Sequence, residues 1–523
     1  MKSFFKPWLA GMAFLGAAGV QGAPVRIDSG LVEGATGRQP GVMAYKGIPF
    51  AKPPVGELRW KAPQPAESWS GVRRAADYGA VCPHPPLPDN HLFFPGGLGA
   101  ESEDCLSLNV WTKAGSRNQP VFVYVHGGGY RFGSGAERLY QGDSLASQGT
   151  VVVTINYRLG VFGFLAHPEL SQESGAVSGK YGSGNYGLMD QLAALQWVKR
   201  NIAAFGGNPG NVTLIGESAG AFSTSFLLAS PLSKGLFQRA IMESGASFDR
   251  NLSLADAEAA GKRLIDANGG TIKAARSLPV AQLVKAGGAE RFNANLDNYV
   301  LPRDVYSVYR DGAQVDVPIL IGSNANEGTP YPPFGGGTLA GFTGAARKVF
   351  GERADRFFAA YPVSNDAEAR ETGFGIMRDQ VFGWNMWTLA RMQAKTGKSP
   401  VFYYYFTRRA PVPPGTKLAN FAQRDDLENL GAFHTSDVPY VFGTLDERKW
   451  NWTTTDRDLS RAMQAYWIGF AKTGRPSGKG LPEWQPFDAR DPSVMELGER
   501  IGRGPVRHRL AYDFFDQVNG REP

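Results

Sequence analysis

Short, uninterrupted apolar runs alternate along the chain with longer segments of helical period. "VFVYV" (121–125) and "VVVTIN" (151–156) are apolar or β-branched at almost every position, the pattern of strands covered on both faces. "NVTLIGES" (211–218), "VPILIGSNANEG" (317–328) and "VFYYYF" (401–406) supply further strands. Between them, "LMDQLAALQWVKRNIAAF" (188–205) places apolar residues at 188, 192, 195, 198, 202 and 205, one face of a helix. Strand alternating with helix predicts an α/β fold in which helices cover a sheet. The Pro- and Gly-rich stretches at 83–99 and 330–337 are expected to be surface loops. No repeat, charge block or linker interrupts the pattern. One domain is therefore expected over 23–523, lengthened by insertions.

One junction in this pattern is unusual. The strand ending at Ile215 passes into an Ala-, Phe- and Leu-rich helix at Ala219 with only Gly216-Glu217-Ser218 between them. A turn this tight brings the residues two before and two after its tip into contact. Glycine at 216 and 220 removes the clash and leaves the Ser218 hydroxyl exposed. The free N–H groups of the helix start point at the same corner and favour developing negative charge. Gly216-Glu217-Ser218-Ala219-Gly220 is the one G-x-S-x-G in the sequence, and Ser218 is the expected nucleophile.

A serine hydroxyl needs a base. In architectures that carry this turn, the acid and then the base follow the nucleophile. Of the six histidines, only His434 and His508 follow Ser218. His508 lies between two arginines in "VRHRL" and reads as a surface residue, whereas His434 follows a strand in "GAFHTSDVPYVFG". His434 is the expected base, and activity should rise from acid to neutral pH as its ring becomes neutral. Glu327 ends the strand of "ILIGSNANEG" and is the expected acid, with Asp437 as its rival three residues after His434. "VYVHGGGY" (123–130) puts three glycines after a strand, so the loop backbone can approach a reacting oxygen. Gly128, Gly129 and Ala219 are the expected N–H donors. The loop has no G-K-[ST], which a phosphate cradle would carry.

Composition adds less. Hydrophobic content of 42% and charged content of 20% are ordinary for a globular protein. Lysines and arginines are scattered despite a net charge of +7, so no nucleic-acid partner is expected. Lys2 and Lys6 precede an apolar run, Trp8 to Val20, too short to span a bilayer. This reads as a secretory signal peptide over 1–22, cut after Gly22, which implies a periplasmic or secreted protein with no membrane insertion. The mature charge would then be +5, two lysines fewer than +7. Cys82 and Cys105 are the only cysteines, and in an exported chain such a pair reads as a disulfide, with two free buried thiols as the alternative.

These segments together resemble the type-B carboxylesterases, the family of cholinesterases, liver carboxylesterases and bacterial para-nitrobenzyl esterases. The likeness is carried by "YKGIPFAKPPVGELRWKAPQP" (45–65), "SEDCLSLNVW" (102–111), "HGGGY", "NYRLGVFGFL" (156–165), the block 184–221, "NANEG" and "HTSDVPYVFG", nearly the whole mature chain. The resemblance implies an α/β-hydrolase fold with a mostly parallel mixed sheet and loop insertions forming a gorge. It implies a Ser218–Glu327–His434 triad, an oxyanion hole at Gly128, Gly129 and Ala219, and a Cys82–Cys105 loop beside the gorge. It also implies ester hydrolysis through an acyl-enzyme, with no metal or organic cofactor. Further disulfides and a glutamate near position 437, common in the family, are missing here. Phe93 and Phe94 in the loop between the cysteines, and Glu217 beside the nucleophile, are the expected substrate contacts, and "YPPFGGG" (331–337) is a candidate lid. The expected substrates are neutral or bulky esters. A non-catalytic binding protein, or an amidase, lactonase or polyester hydrolase with the same triad, is the alternative.

Overall fold

The computed structural model describes residues 23–521 except 181, 289, 291 and 422–425. An eleven-stranded mixed sheet organises the chain. Its strands, in chain order, are β1 (Ala35–Thr36), β2 (Val42–Pro49), β3 (Ser107–Lys113), β4 (Gln119–Val125), β5 (Val151–Ile155), β6 (Gly207–Glu217), β7 (Arg239–Glu243), β8 (Ile319–Asn324), β9 (Val401–Phe406), β10 (Ser493–Leu497) and β11 (Ile501–Pro505). Their spatial order is β11-β10-β9-β8-β7-β6-β4-β5-β3-β2-β1. Pairing is parallel from β5 through β10, and antiparallel at both ends of the sheet.

The apolar runs are continuous because both faces are covered. Val121, Val123 and Val125 of β4 point into one hydrophobic cluster, which also holds Leu188, Leu192, Leu195 and Val198 of the helix α1 (Tyr186–Asn201). Phe122 and Tyr124 point the other way, into a second cluster with Leu459, Met463 and Trp467 of the helix α3 (Thr454–Thr473). In β9 the alternation is again complete: Val401, Tyr403 and Tyr405 serve the first face, and Phe402, Tyr404 and Phe406 the second. Between α1 and α3 in the chain lies α2 (Ala219–Ala229), which starts at the corner serine. α3 opens on a capping box between Thr453 and Asp456 and closes at Gly474 with φ 80°.

Two loops expected at the surface are partly drawn inward. The stretch 83–99 has little regular structure, with Pro86, Pro88, Asp89, Asn90, Gly96 and Gly99 exposed. Leu92 and Phe94 are buried, and Phe94 packs with Val81 and Leu98. The 331–337 segment is tied down by Phe334, whose ring meets Phe342 at 5.6 Å and Phe357 at 5.7 Å. Of that segment only Tyr331 lines the large cavity. Cys82 and Cys105 are joined, with Cα atoms 5.0 Å apart. No helix among the described residues is long and apolar enough to cross a membrane.

Candidate active site

The corner at the end of β6 is as tight as its sequence demands. Ser218 has φ 52° and ψ −123°, a conformation that costs a non-glycine residue on the order of 1–3 kcal/mol. A Cβ on Gly216 would lie 2.2 Å from the Gly220 carbonyl oxygen, and one on Gly220 would lie 1.9 Å from that of Val125. The Ser218 N–H donates to the Glu243 carbonyl at 2.9 Å, and the Ser218 carbonyl accepts from Phe222 in the first turn of α2. The strain is therefore held by β7 on one side and α2 on the other.

The glycine loop after β4 reaches the same place. Gly128 (φ 105°) and Gly129 (φ 62°) adopt backbone conformations that favour glycine, and a Cβ on Gly128 would meet the Phe132 carbonyl at 2.3 Å. Gly128, Gly129 and Ala219 all line the cavity that holds Ser218. Among the described residues their N–H groups have no acceptor. Ala219 is buried, and buried backbone donors are seldom left so.

His434 Nε2 lies 2.8 Å from the Ser218 Oγ, and its Nδ1 lies 2.6 Å from Glu327 Oε2. A carboxylate only accepts, so the Nδ1–H donates to Glu327 and Nε2 keeps a lone pair for the serine proton. Glu327 is fully buried, and its other oxygen accepts from the Asn324 N–H at 2.7 Å and from the Ser244 hydroxyl. Asp437 does not touch the imidazole. Its oxygens accept from Asn324 Nδ2 at 3.0 Å and from the Tyr404 hydroxyl at 2.9 Å. His508 is part-buried rather than on the surface, with Nδ1 3.1 Å from Arg378 and Nε2 3.3 Å from the Tyr405 hydroxyl.

Around this line sit further buried carboxyls without cationic partners. Glu217 Oε1 lies 3.4 Å from His434 Nε2 and accepts no hydrogen bond among the described residues. Glu243 accepts from Trp467 Nε1 at 2.8 Å through one oxygen, while the other is unpartnered. Burial pushes Glu217, Glu243 and Asp437 up from the ordinary carboxyl range, and their neighbouring carboxylates push further in the same direction. A carboxyl raised in the folded state binds its proton more tightly there than in the unfolded chain. Its stabilisation is present below the unfolded value near 4.5 and is lost as pH rises towards the folded value. Glu243→Gln should therefore flatten the fall in melting temperature as pH rises above 4.5. Parallel wild-type and variant profiles from about pH 5 to 9 would show that Glu243 is not titrating there.

The cavity has a volume of about 620 Å³. Phe93, Phe94 and Glu217 all line it, as does His91, which stacks on Phe94 at 5.5 Å. Burial, with Arg448 nearby, pushes the His91 ring down to about 4. Sequence reasoning missed Phe382, whose ring lies 4.5 Å from that of His434, whereas Tyr331, at 6.0 Å, belongs to the 331–337 segment named as a candidate lid. Phe382 sits in a π-helical turn, Arg378–Gly383, and such turns are frequent at functional sites. Nothing in "RDQVFG" marks that turn in advance. Ser244 was missed too, although its φ of 56° and its place at the end of β7 resemble the Ser218 corner.

The sheet order, the strained serine between strand and helix, and the imidazole bridging it to a buried glutamate define an α/β-hydrolase. A model of the carboxylesterase family matches residues 21–512. The para-nitrobenzyl esterase of Bacillus subtilis (strain 168) is 38% identical over 498 residues, 91% of this chain and 95% of that one. The cocaine esterase of Homo sapiens is 33% identical, over 91% of this chain and 87% of its own length. A solved structure of a PNB esterase superposes with a TM-score of 0.78 at 35% identity, covering 94% of this chain and 99% of its own. The chain belongs to the carboxylesterase family and is a carboxylic ester hydrolase.

Proposed function

We propose that Ser218, His434 and Glu327 carry out ester hydrolysis through an acyl-enzyme on Ser218. The reading rests on the continuous line from Glu327 Oε2 through His434 to Ser218 Oγ, with spans of 2.6 and 2.8 Å, beside three unclaimed N–H donors. His434 takes the serine proton as Oγ attacks the carbonyl carbon. The oxygen that gains charge is held by the N–H groups of Gly128, Gly129 and Ala219. Glu327 stabilises the imidazolium, which returns the proton to the departing alcohol. Water, deprotonated by His434, then releases the acid. Every step is carried by side chains, backbone and water. Labelling with a phosphonate tests the nucleophile directly, because a non-catalytic binding protein would stay unlabelled at Ser218. Amides, lactones and polyesters would use the same machinery, and the relatives named as esterases support the ester reading.

The substrate reading concerns the alcohol half. The loop between Cys82 and Cys105 holds no tryptophan, and its aromatic wall on the cavity is Phe93, Phe94 and His91. A desolvated cation–π contact is worth about 2 kcal/mol and is strongest on tryptophan, so esters of uncharged, bulky alcohols are the preferred class. The check is kcat/KM for a choline ester against its uncharged tert-butyl-ethyl isostere. A preference for choline above about 30-fold would contradict the reading.

The proposal includes export as one folded unit, 23–523, with the disulfide supporting stability. The expected leader, 1–22, lies outside the described residues. Intact mass of periplasmic or culture-medium protein should give a chain beginning at Ala23. A full-length chain confined to the cytoplasm would contradict it.

A further inference from the structure

The cavity carries charge that the hydrolytic scheme does not use. Arg131 and Arg250 both line it. Arg131 lies two residues beyond Gly129, its backbone N–H donates to the Gly128 carbonyl, and its guanidinium sits 5.5 Å from the Phe132 ring centre. Arg250 follows β7 in a segment that packs on α2, where the Ser247 N–H donates to the Ser225 hydroxyl at 3.1 Å. Neither guanidinium makes a hydrogen bond or an ion pair among the described residues. The more deeply placed Arg59, Arg158 and Arg391 are instead held by Glu103, Asp190 and Asp516.

The acid that shares this part of the wall does not neutralise them. Asp249 forms no ion pair with either arginine, and its carboxyl, open to solvent in the cavity yet hemmed in by its walls, is pushed up by that burial against the pull of Arg521. Asn293 adds an uncharged amide to the same lining. Arg131 is half-buried and Arg250 exposed, so both guanidinia remain open to a ligand in the cavity, and a carboxylate is the ligand their planar donors match.

The chemistry sets which half of the substrate reaches it. The alcohol must collect its proton from His434 Nε2, so it lies against the rings around that histidine: Phe93, Tyr331 and Phe382. The acyl chain then extends the other way, towards α2 and the segment bearing Arg250. We propose that Arg131 and Arg250 are specificity-determining residues that bind a carboxylate at the far end of the acyl chain. The preferred substrates are then monoesters of dicarboxylic acids with uncharged alcohols. This rests on the acyl-enzyme reading above.

The test compares p-nitrophenyl hydrogen adipate with its primary-amide isostere, p-nitrophenyl adipamate, after subtraction of spontaneous hydrolysis. At low ionic strength kcat/KM for the carboxylate should exceed that for the amide by about 10-fold or more, as expected for charge-assisted bonds. About 0.5 M salt should reduce the ratio. In the double variant Arg131→Gln, Arg250→Gln the ratio should fall to about one, and lysine at both positions should restore part of it. The ratio is taken within each protein, so any loss of active enzyme cancels. A wild-type ratio near one, or a ratio unchanged in the double variant, overturns the proposal while leaving the esterase reading intact. An anion preference seen only in the alcohol half, with 4-acetoxybenzoate over 4-acetoxybenzamide, also overturns it. Failure to hydrolyse either adipate ester while p-nitrophenyl acetate is cleaved also overturns the proposal, whereas failure on all three would strike the esterase reading itself.

Discussion

Replacing Ser218 with alanine will leave a folded protein whose kcat for esters is lower by about 10⁴–10⁶. The hydroxyl is the one atom lost, and its hydrogen-bond partner is His434 Nε2 at 2.8 Å. The backbone at the corner keeps its supports, the bonds to the Glu243 carbonyl and from the Phe222 N–H. Circular dichroism and melting temperature should therefore stay near wild type while turnover disappears. The free N–H donors of the glycine loop remain, so a small rate above water should persist. More than a few per cent of activity in material free of wild-type enzyme would remove Ser218 from the mechanism.

Gly220→Ala will act on the fold instead. The added methyl carbon would sit 1.9 Å from the Val125 carbonyl oxygen, and both groups are backbone, with no flexible side chain to give way. Relief requires α2 to move off β4, which would break the packing of a buried helix. We expect a loss above about 4 kcal/mol, seen as failure to accumulate soluble esterase. Gly344→Ala is the matched control. It lies on the exposed face of the helix Leu339–Phe350, its new Cβ would meet nothing within 4 Å, and alanine is the better helix former by up to about 1 kcal/mol. Equal expression and melting temperature for the two variants would contradict the steric account.

What the sequence made legible follows the range of each interaction. The strands at 121–125, 151–156 and 401–406 show as continuous apolar runs because burial on both faces acts on each residue locally. The serine corner shows because its glycines lie within two residues of the nucleophile. His434 and Glu327 are reached by chain order and strand ends, and the fold brings His434 to Ser218 across 216 residues and to Glu327 across 107. The strand β7, "RAIME", is short and charged at both ends, and its place beside the corner becomes visible only in the sheet. Phe382, Ser244, Arg131 and Arg250 carry no local signature, because what each does depends on which distant wall it faces. The loop 83–99 misled in part, for the same reason. Its prolines and glycines read as surface, while Leu92 and Phe94 are drawn inward by clusters far along the chain. His508 was misplaced because its arginine neighbours suggest solvent, whereas its ring is packed between Arg378 and Tyr405.

The central claim is that Ser218 is the residue acylated during turnover, and a mechanism-based phosphonate reads this directly. Incubation of the wild-type enzyme with a fluorophosphonate, followed by peptide mass spectrometry, should place one adduct on the peptide containing Ser218, with activity lost in proportion to labelling. The His434→Ala variant should label far more slowly, because the hydroxyl then lacks its base. Complete inactivation with Ser218 unmodified, or labelling of Ser218 at the same rate without His434, would contradict the account.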